Sequence, residues 1–401
     1  MDGERRYDLA LFGATGFTGG LTARYLAENG PADLRWALVG RNRGKLEGVA
    51  AHLAELAADV PAPELLEADA ADRSAVDEVA RAARVVVTTV GPYALHGEPL
   101  VAACAAAGTD YADLTGEPEF VDRMWALHHA EAQQKGARLV HCCGFDSIPH
   151  DLGAYFTVAQ LPEGVPLIVN GYVRSNARFS GGSYHSAING FARARQTLAA
   201  AKDRRRSEPR PAGREIHSAS PGVRRMPELG GWAAPLPTID GAIVRRSAAA
   251  LERYGPNFTY GHNMVAKRLG TIGALGGGVG TVGLLAALPP TRKLLLKLKS
   301  PGEGPTESER ARSWFKVTFV GEGGGKRVMT EVSGGDPGYT ETAKMLAESG
   351  LCLAFDELPE RAGQLTTAAA MGDMLLTRLQ RADIAFRVLP GPDLTGASGG
   401  H

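Results

Sequence analysis

Residues 7–19, Tyr-Asp-Leu-Ala-Leu-Phe-Gly-Ala-Thr-Gly-Phe-Thr-Gly, decide how the chain is read. An apolar run, Leu9 to Phe12, leads into glycines at 13, 16 and 19. A helical pattern follows through Leu21, Tyr25 and Leu26, then Gly30-Pro31 and a second apolar run, Trp36 to Val39. Strand, glycine turn, helix and strand make a βαβ unit of the dinucleotide-binding type. Free backbone N–H groups at a helix N-terminus, where the dipole is positive, hold a pyrophosphate. Gly13 is expected to make the sharp turn, Gly16 to let the phosphates approach, and Gly19 to let the helix pack closely on the strand. The spacing is G-x-x-G-x-x-G, so a variant phosphate loop is expected, with Ala14, Thr15, Phe17 and Thr18 between its glycines.

The end of the second strand selects the cofactor. An Asp or Glu there would bind the ribose hydroxyls of NAD. This chain has Gly40-Arg41-Asn42-Arg43, with Lys45 close behind. A guanidinium matches a phosphate as a bidentate fork. Arg41, with Asn42 and Lys45 beside it, is therefore expected to hold the 2′-phosphate of NADP(H).

The chain has 401 residues, 44% of them hydrophobic, which is more than one ordinary domain. Its 44 basic and 44 acidic residues balance, which argues against nucleic acid as a partner. Four cysteines (104, 142, 143, 352) form no C-x-x-C pair and fit reduced thiols in the cytoplasm. The N-terminus has no apolar signal-peptide core. His128 and His129 are adjacent and face different directions, so no metal site is expected from them or elsewhere.

Four more strand and helix pairs follow. Leu65 to Asp69 reads as a short third strand, and Asp69 either contacts the adenine or caps the helix over 72–82. Val85 to Val90 is a β-branched, buried parallel strand ending in Gly91-Pro92-Tyr93. Strand ends of this kind floor the ligand crevice of doubly wound sheets. Tyr93 is either a nicotinamide neighbour or a core tyrosine. A strand at Leu139 to Cys142 leads into Gly144-Phe145-Asp146-Ser147, where Asp146 and Ser147 either cap the next helix or point into the crevice.

The pattern then changes. Residues 167–174 alternate as a strand, and 203–237 read as a long, basic, mobile loop without a core of its own. The aromatic, turn-rich stretch 254–262 is either a pocket wall or a packed loop. Residues 271–288 carry no charge, and Pro289-Pro290 and a basic run through Lys299 follow. This segment is a membrane-surface or acyl-chain contact, a glycine-rich buried helix, or a span. Residues 313–320 and 326–333 form a hairpin, and Ile384 to Leu389 a last strand. The expected fold is α/β: a Rossmann-type doubly wound parallel sheet plus a second α+β domain with a mixed or antiparallel sheet. Residues 1–153 form the nucleotide domain, 154–335 the substrate domain, and 336–390 complete both, with a disordered tail at 391–401.

Gly-Ala-Thr-Gly-Phe-Thr-Gly (13–19), Thr-Val-Gly-Pro-Tyr (89–93), Tyr-Ala-Asp-Leu-Thr-Gly-Glu (111–117) and Gly-Phe-Asp-Ser-Ile-Pro (144–149) together resemble the saccharopine dehydrogenase superfamily. Pro-Leu-Pro-Thr-Ile-Asp (235–240) and Gly-Gly-Asp-Pro-Gly-Tyr-Thr-Glu-Thr-Ala-Lys-Met-Leu (334–346) resemble its branch of trans-acting enoyl reductases and saccharopine dehydrogenase-like oxidoreductases. The resemblance implies an NADPH-dependent reductase of α,β-unsaturated acyl thioesters in lipid or polyketide assembly. The alternative is a membrane-associated NADP-binding protein that is non-catalytic or reduces imines or amino acids. The expected cofactor contacts are residues 13–19, Arg41, Asn42, Lys45, Asp69, Gly91, Pro92, Tyr93, Gly144, Phe145, Asp146 and Ser147. Tyr93 is expected to donate to the enolate, with Asp146 and Tyr184 as the other catalytic groups. The expected partners are a small-molecule or carrier-bound acyl substrate, a membrane surface through 271–299, and a second copy in a homodimer. The expected location is the cytoplasm, peripheral at the inner membrane face.

Arg41→Asp should weaken NADPH about ten- to hundredfold, the range for a charge-assisted hydrogen-bonding pair, and leave NADH nearly unchanged. Fluorescence titration with both nucleotides checks this, and equal loss for the two would refute the assignment.

Overall fold

The computed structural model describes residues 5–56, 60–177, 181–297 and 304–390. Two sheets organise them. The first is built from β1 (Tyr7–Phe12), β2 (Trp36–Gly40), β3 (Glu64–Glu67), β4 (Ala83–Thr88), β5 (Asp110–Asp113) and β6 (Arg138–Val140). The second contains β7 (Leu167–Ser175), β8 (Glu215–Ala219), β9 (Arg224–Met226), β10 (Gly231–Pro235), β11 (Asn257–Ala266), β12 (Phe315–Gly323) and β13 (Lys326–Gly334). The last two strands are shared out: β14 (Gly363–Leu365) joins the first sheet and β15 (Ala385–Leu389) the second.

The first sheet runs β14-β6-β5-β4-β1-β2-β3, and every pairing in it is parallel. All six residues of β1 are buried, as a strand covered by helices on both faces requires. Phe12 pairs with Val39 on one side and Thr88 on the other, so the glycine turn opens between the ends of β2 and β4. That is the switch point at which such sheets bind ligands.

The second sheet runs β15-β13-β12-β7-β11-β10-β9, with β8 also paired to β11. It is mixed: β7 and β8 lie parallel to β11, and the other pairings are antiparallel. Two sequence expectations change here. Residues 203–237, read as a structureless loop, hold the end of helix Ala194–Ser207 and the strands β8, β9 and β10. These strands lie at the side of the sheet, largely uncovered, so their polar residues hide the alternation. Residues 257–262, read as pocket wall or loop, begin the central strand β11. Gly261 leaves room there for the Asn170 side chain of β7, whose amide an added Cβ would displace from 2.2 Å. The expected disordered tail, 391–401, lies outside the described residues, as do Leu298 and Lys299 of the basic run.

Helix Leu269–Ala287 overturns the buried-helix alternative for 271–288: Ala286 is its one buried residue. By length and composition it could cross a membrane, with a mean hydropathy of 1.5 and 6% of its apolar window buried.

Helix Ile148–Ala159 joins the two sheets. Its start continues the first sheet's last crossover, and its far face packs on β12 and β13. Thr157 Oγ1 lies 2.6 Å from Thr330 Oγ1 of β13. At Gly153 an added Cβ would lie 2.3 Å from the Phe319 ring and 2.9 Å from Val332. Gly153→Ala should therefore overpack this junction and destabilise the protein by about 1–3 kcal/mol. The measurement is the urea unfolding midpoint, and an unchanged midpoint would contradict the packing argument.

Candidate active site

The phosphate turn is built as its glycines require. Gly13 has a positive φ of 84°, and Gly16 N–H donates to Gly13 O at 2.9 Å. A Cβ on Gly19 would lie 2.0 Å from that same oxygen, so only glycine lets the helix approach. Helix Phe17–Asn29 begins after Gly16 with no side chain capping it. Its first N–H groups are left for an external acceptor, which fits a pyrophosphate. Beside the turn lies a groove of about 590 Å³, lined by Thr15, Gly16, Lys45, His52 and Arg310 among others. The Phe17 ring is fixed edge-on against Tyr339 at 4.8 Å, with Arg310 stacked over it.

Arg41 is 77% exposed, its guanidinium 3.9 Å from Asp69, and it stands open to an incoming phosphate. Asn42 turns inward instead, its Oδ1 accepting from Lys45 N–H at 2.9 Å. Arg43 is engaged with Leu65 O and Glu47. Asp69 accepts from Ala71 N–H, and the cap of helix Arg73–Ala82 is Asp72. The cap alternative for Asp69 therefore falls.

At the other end of the crevice, buried hydrogen bonds fix the strand ends. Tyr93 is buried. Its hydroxyl donates to Thr88 O at 3.1 Å and accepts from Leu114 N–H at 3.2 Å. Burial and neighbouring carboxylates also push that hydroxyl well above the ordinary tyrosine range. This corrects its expected role: the hydroxyl ties the end of β4 to the end of β5 and has no proton directed at a substrate. Glu117, singled out earlier only as part of a motif, accepts from Tyr93 N–H at 3.1 Å, Ala94 N–H at 2.9 Å and Ser186 Oγ at 2.9 Å. Tyr184 is corrected too. Its hydroxyl donates to Leu295 O at 3.1 Å and so secures helix Pro289–Lys297.

Asp146 is different. Ser147 is the N-cap residue of helix Ile148–Ala159, but no side chain caps that helix, so neither Asp146 nor Ser147 plays the expected capping role. Ser147 is buried and donates to Asp146 O at 2.5 Å. Phe145 is held by its N–H to Thr342 Oγ1 at 3.0 Å. A Cβ on Gly116 would come 3.3–3.5 Å from the Asp146 carboxyl, so Gly116 makes room for it. Gly144 packs against Leu114 and Thr342. Asp146 itself is exposed, with Gly116 beside its carboxyl. Desolvation raises its pKa most, the charges of Asp240 and Glu117 add to it, and the result is about 7.

Behind Asp146 the fold assembles a group that sequence spacing did not reveal. His150, Asp240 and His262 come from two helices and β11, and their ligand atoms lie within 4.8 Å of one another. No metal site was expected from the sequence, and these three residues are a group that could hold one ion. Burial holds His150 down at about 4, and the two histidines hold Asp240 below the carboxylate range against its own desolvation. The residues are 90 and 22 positions apart, so no local motif could have signalled them.

The comparisons agree with this geometry. The family model of the saccharopine dehydrogenase NADP binding domain matches residues 9–140. A Mycobacterium tuberculosis protein, provisionally named a trans-acting enoyl reductase, is 40% identical over 412 residues, covering 96% of this chain and 97% of its own. A trans-acting enoyl reductase of Mycobacterium ulcerans is 37% identical over 95% of this chain and 97% of its own. Among solved structures, apo saccharopine dehydrogenase (L-Glu forming) from Saccharomyces cerevisiae shares the fold, with a TM-score of 0.53 and 12% identity over 95% of this chain and 99% of that one. The cofactor is NADP(H). The chain is thus an NADP-dependent oxidoreductase and belongs to the trans-acting enoyl reductase family of the saccharopine dehydrogenase superfamily.

Proposed function

We propose that this protein reduces the carbon–carbon double bond of an α,β-unsaturated acyl thioester presented by a carrier protein. The names of its relatives support the reaction class. The observation that carries the chemistry is the place of Asp146, an exposed carboxyl after the end of β6 beside Gly116, whose pKa desolvation and the charges of Asp240 and Glu117 raise to about 7. Bound NADPH supplies a hydride to the β-carbon. The α-carbon must then gain a proton, and a carboxylic acid that keeps its proton near neutrality is suited to give it. Asp146 remains open to solvent and regains its proton there for the next turnover. Tyr93 and Glu117 hold the crevice floor and take no part in the proton transfer.

Asp146→Asn cannot give a proton. It should lower kcat with an enoyl thioester by about 10²- to 10⁴-fold while NADPH affinity holds. The groups facing Asp146 are Asp240, Glu117, the Tyr93 hydroxyl and the Cys142 thiol. The hydroxyl and the thiol are held neutral by burial, so the wild-type rate should fall as pH rises through about 7, where Asp146 loses its proton. NADPH oxidation measured over roughly two pH units on either side of that value checks this. A flat profile, or an Asn variant of wild-type rate, sinks the assignment. Tight NADPH binding with no enoyl turnover favours the non-catalytic reading, and turnover with a 2-oxo acid plus an amine favours the imine reductase.

We also propose that helix Leu269–Ala287 rests on a membrane, which gives the protein a peripheral position at the cytoplasmic face. Leu284 is 75% exposed and Leu294 63%. Cβ positions built on Gly270, Gly273, Gly276, Gly277, Gly278 and Gly280 meet nothing within 4 Å, so these glycines serve no helix packing among the described residues. Arg292, Lys293 and Lys297 follow in the next helix, where anionic headgroups would meet them. The full chain should float with anionic vesicles, and Leu284→Ser with Leu285→Ser should release it. Flotation of neither protein, or of both equally, counts against lipid contact.

A further inference from the structure

We infer that His150, Asp240 and His262 form a site for one divalent transition-metal ion of the zinc class. His150 stands on the first turn of helix Ile148–Ala159, Asp240 opens helix Asp240–Ala250, and His262 lies in β11. The three converge behind the crevice, where Phe145 packs edge-on against His150 at 5.5 Å and the two imidazoles meet edge-to-face at 4.9 Å.

The spacing of the donor atoms carries the inference. His150 Nε2 is 3.6 Å from Asp240 Oδ1, and His262 Nε2 is 3.5 Å from Asp240 Oδ2. A hydrogen bond between such groups closes to about 2.7–3.2 Å. Two ligands of one tetrahedral ion, bound at about 2.0–2.1 Å, stand about 3.3–3.4 Å apart. The two imidazole nitrogens therefore stand near ligand spacing from the Asp240 carboxylate, one beside each of its oxygens.

The unmet polar atoms point the same way. The three residues are 2%, 4% and 9% exposed. Asp240 Oδ1 and His262 Nε2 are buried without any hydrogen-bond partner. A buried donor or acceptor left unmet costs about 1–3 kcal/mol, and one cation would satisfy both atoms. The outer contacts orient the ligands as metal sites require. The Thr238 hydroxyl donates to Asp240 Oδ2. The Tyr260 hydroxyl lies 3.4 Å from His262 Nδ1, which leaves Nε2 for the cation. Two imidazoles and one carboxylate suit zinc, ferrous iron, cobalt or nickel, and leave coordination positions open.

The test uses the full-length protein, stripped with a chelator and titrated with Zn²⁺ by calorimetry and with Co²⁺ by visible absorption. One equivalent should bind, and Co²⁺ should give the intense d–d bands of a low-coordinate nitrogen–oxygen site. Asp240→Asn and His262→Ala should each weaken binding by more than about a hundredfold, and Thr238→Val by about ten- to a hundredfold, as an outer-shell loss does. His217→Ala, a surface histidine of β8, should change nothing. NADPH titration of each variant establishes that it is folded. Should the ligand variants fail to fold, the wild-type Co²⁺ spectrum and Thr238→Val decide. Uptake below one-tenth of an equivalent by wild-type protein overturns the site. So does equal affinity in folded Asp240→Asn and His262→Ala, or undiminished affinity in Thr238→Val. None of these readouts depends on turnover, so failure of the site and failure of the reductase reading are told apart.

Discussion

The crevice depends on one buried carboxylate. Asp113, at the end of β5, is fully enclosed and has no Lys or Arg bonded to it. It is satisfied by hydrogen bonds instead: from the Tyr111 hydroxyl at 3.0 Å, Thr115 N–H at 3.0 Å and Cys142 N–H at 3.1 Å, with His141 Nδ1 at 2.6 Å. A carboxylate without water is tolerable only when donors converge on it in this way. The consequence is geometric. The bond to Cys142 N–H holds that residue at a φ of 64°, in the left-handed region that a non-glycine residue rarely enters. The bend it makes sends the chain into Gly144 to Ser147 and so aims Asp146 at the crevice. Glu117 repeats the device one loop further on, gathering two N–H groups of the Pro92 turn and the Ser186 hydroxyl.

The two sheets are not two independent bodies in sequence. Helix Thr340–Phe355 comes after the hairpin of the second sheet but lies on the first, where an added Cβ on Gly350 would touch Val87 and Leu9. The motif that opens it holds several parts of the site at once. Asp336 accepts from Thr340 N–H, Thr342 holds Phe145, and Tyr339 braces Phe17 of the phosphate turn. Further along, Glu348 accepts from the Tyr25 hydroxyl and from Arg378. The segment after residue 334 therefore positions both the phosphate turn and the strand end that carries Asp146.

This arrangement explains what could be read from sequence. The glycine turn was legible because its constraints are local: a positive φ at Gly13 and a 2.0 Å approach at Gly19 admit no other residue. The exposed place of Arg41 at the end of β2 was legible because a strand end recurs there in the βαβ unit. Tyr93 was misjudged because its fate is set by Leu114 N–H, 21 positions away, and no pattern within its own turn records that bond. The central strand β11 was missed because Gly261, His262 and Asn263 look like a turn. They are buried, and the glycine is there to admit the side chain of Asn170. Local backbone chemistry is written in the sequence, whereas the partner of a buried polar group is chosen by the fold.

Asp146 and Asp240 illustrate how the fold divides labour between like groups. Asp240 is buried and Asp146 opens to solvent, and desolvation acts on both to favour the proton. Asp240 escapes because two imidazoles and the Thr238 hydroxyl stabilise its anion. Asp146 has no such partner and feels Asp240 and Glu117 as negative charges, so its pKa rises to about 7. Environments that push two titratable groups apart are how a site holds an acid and an anion at one pH. The two are also linked. The negative charge of Asp240 is one of the causes that keep the proton on Asp146.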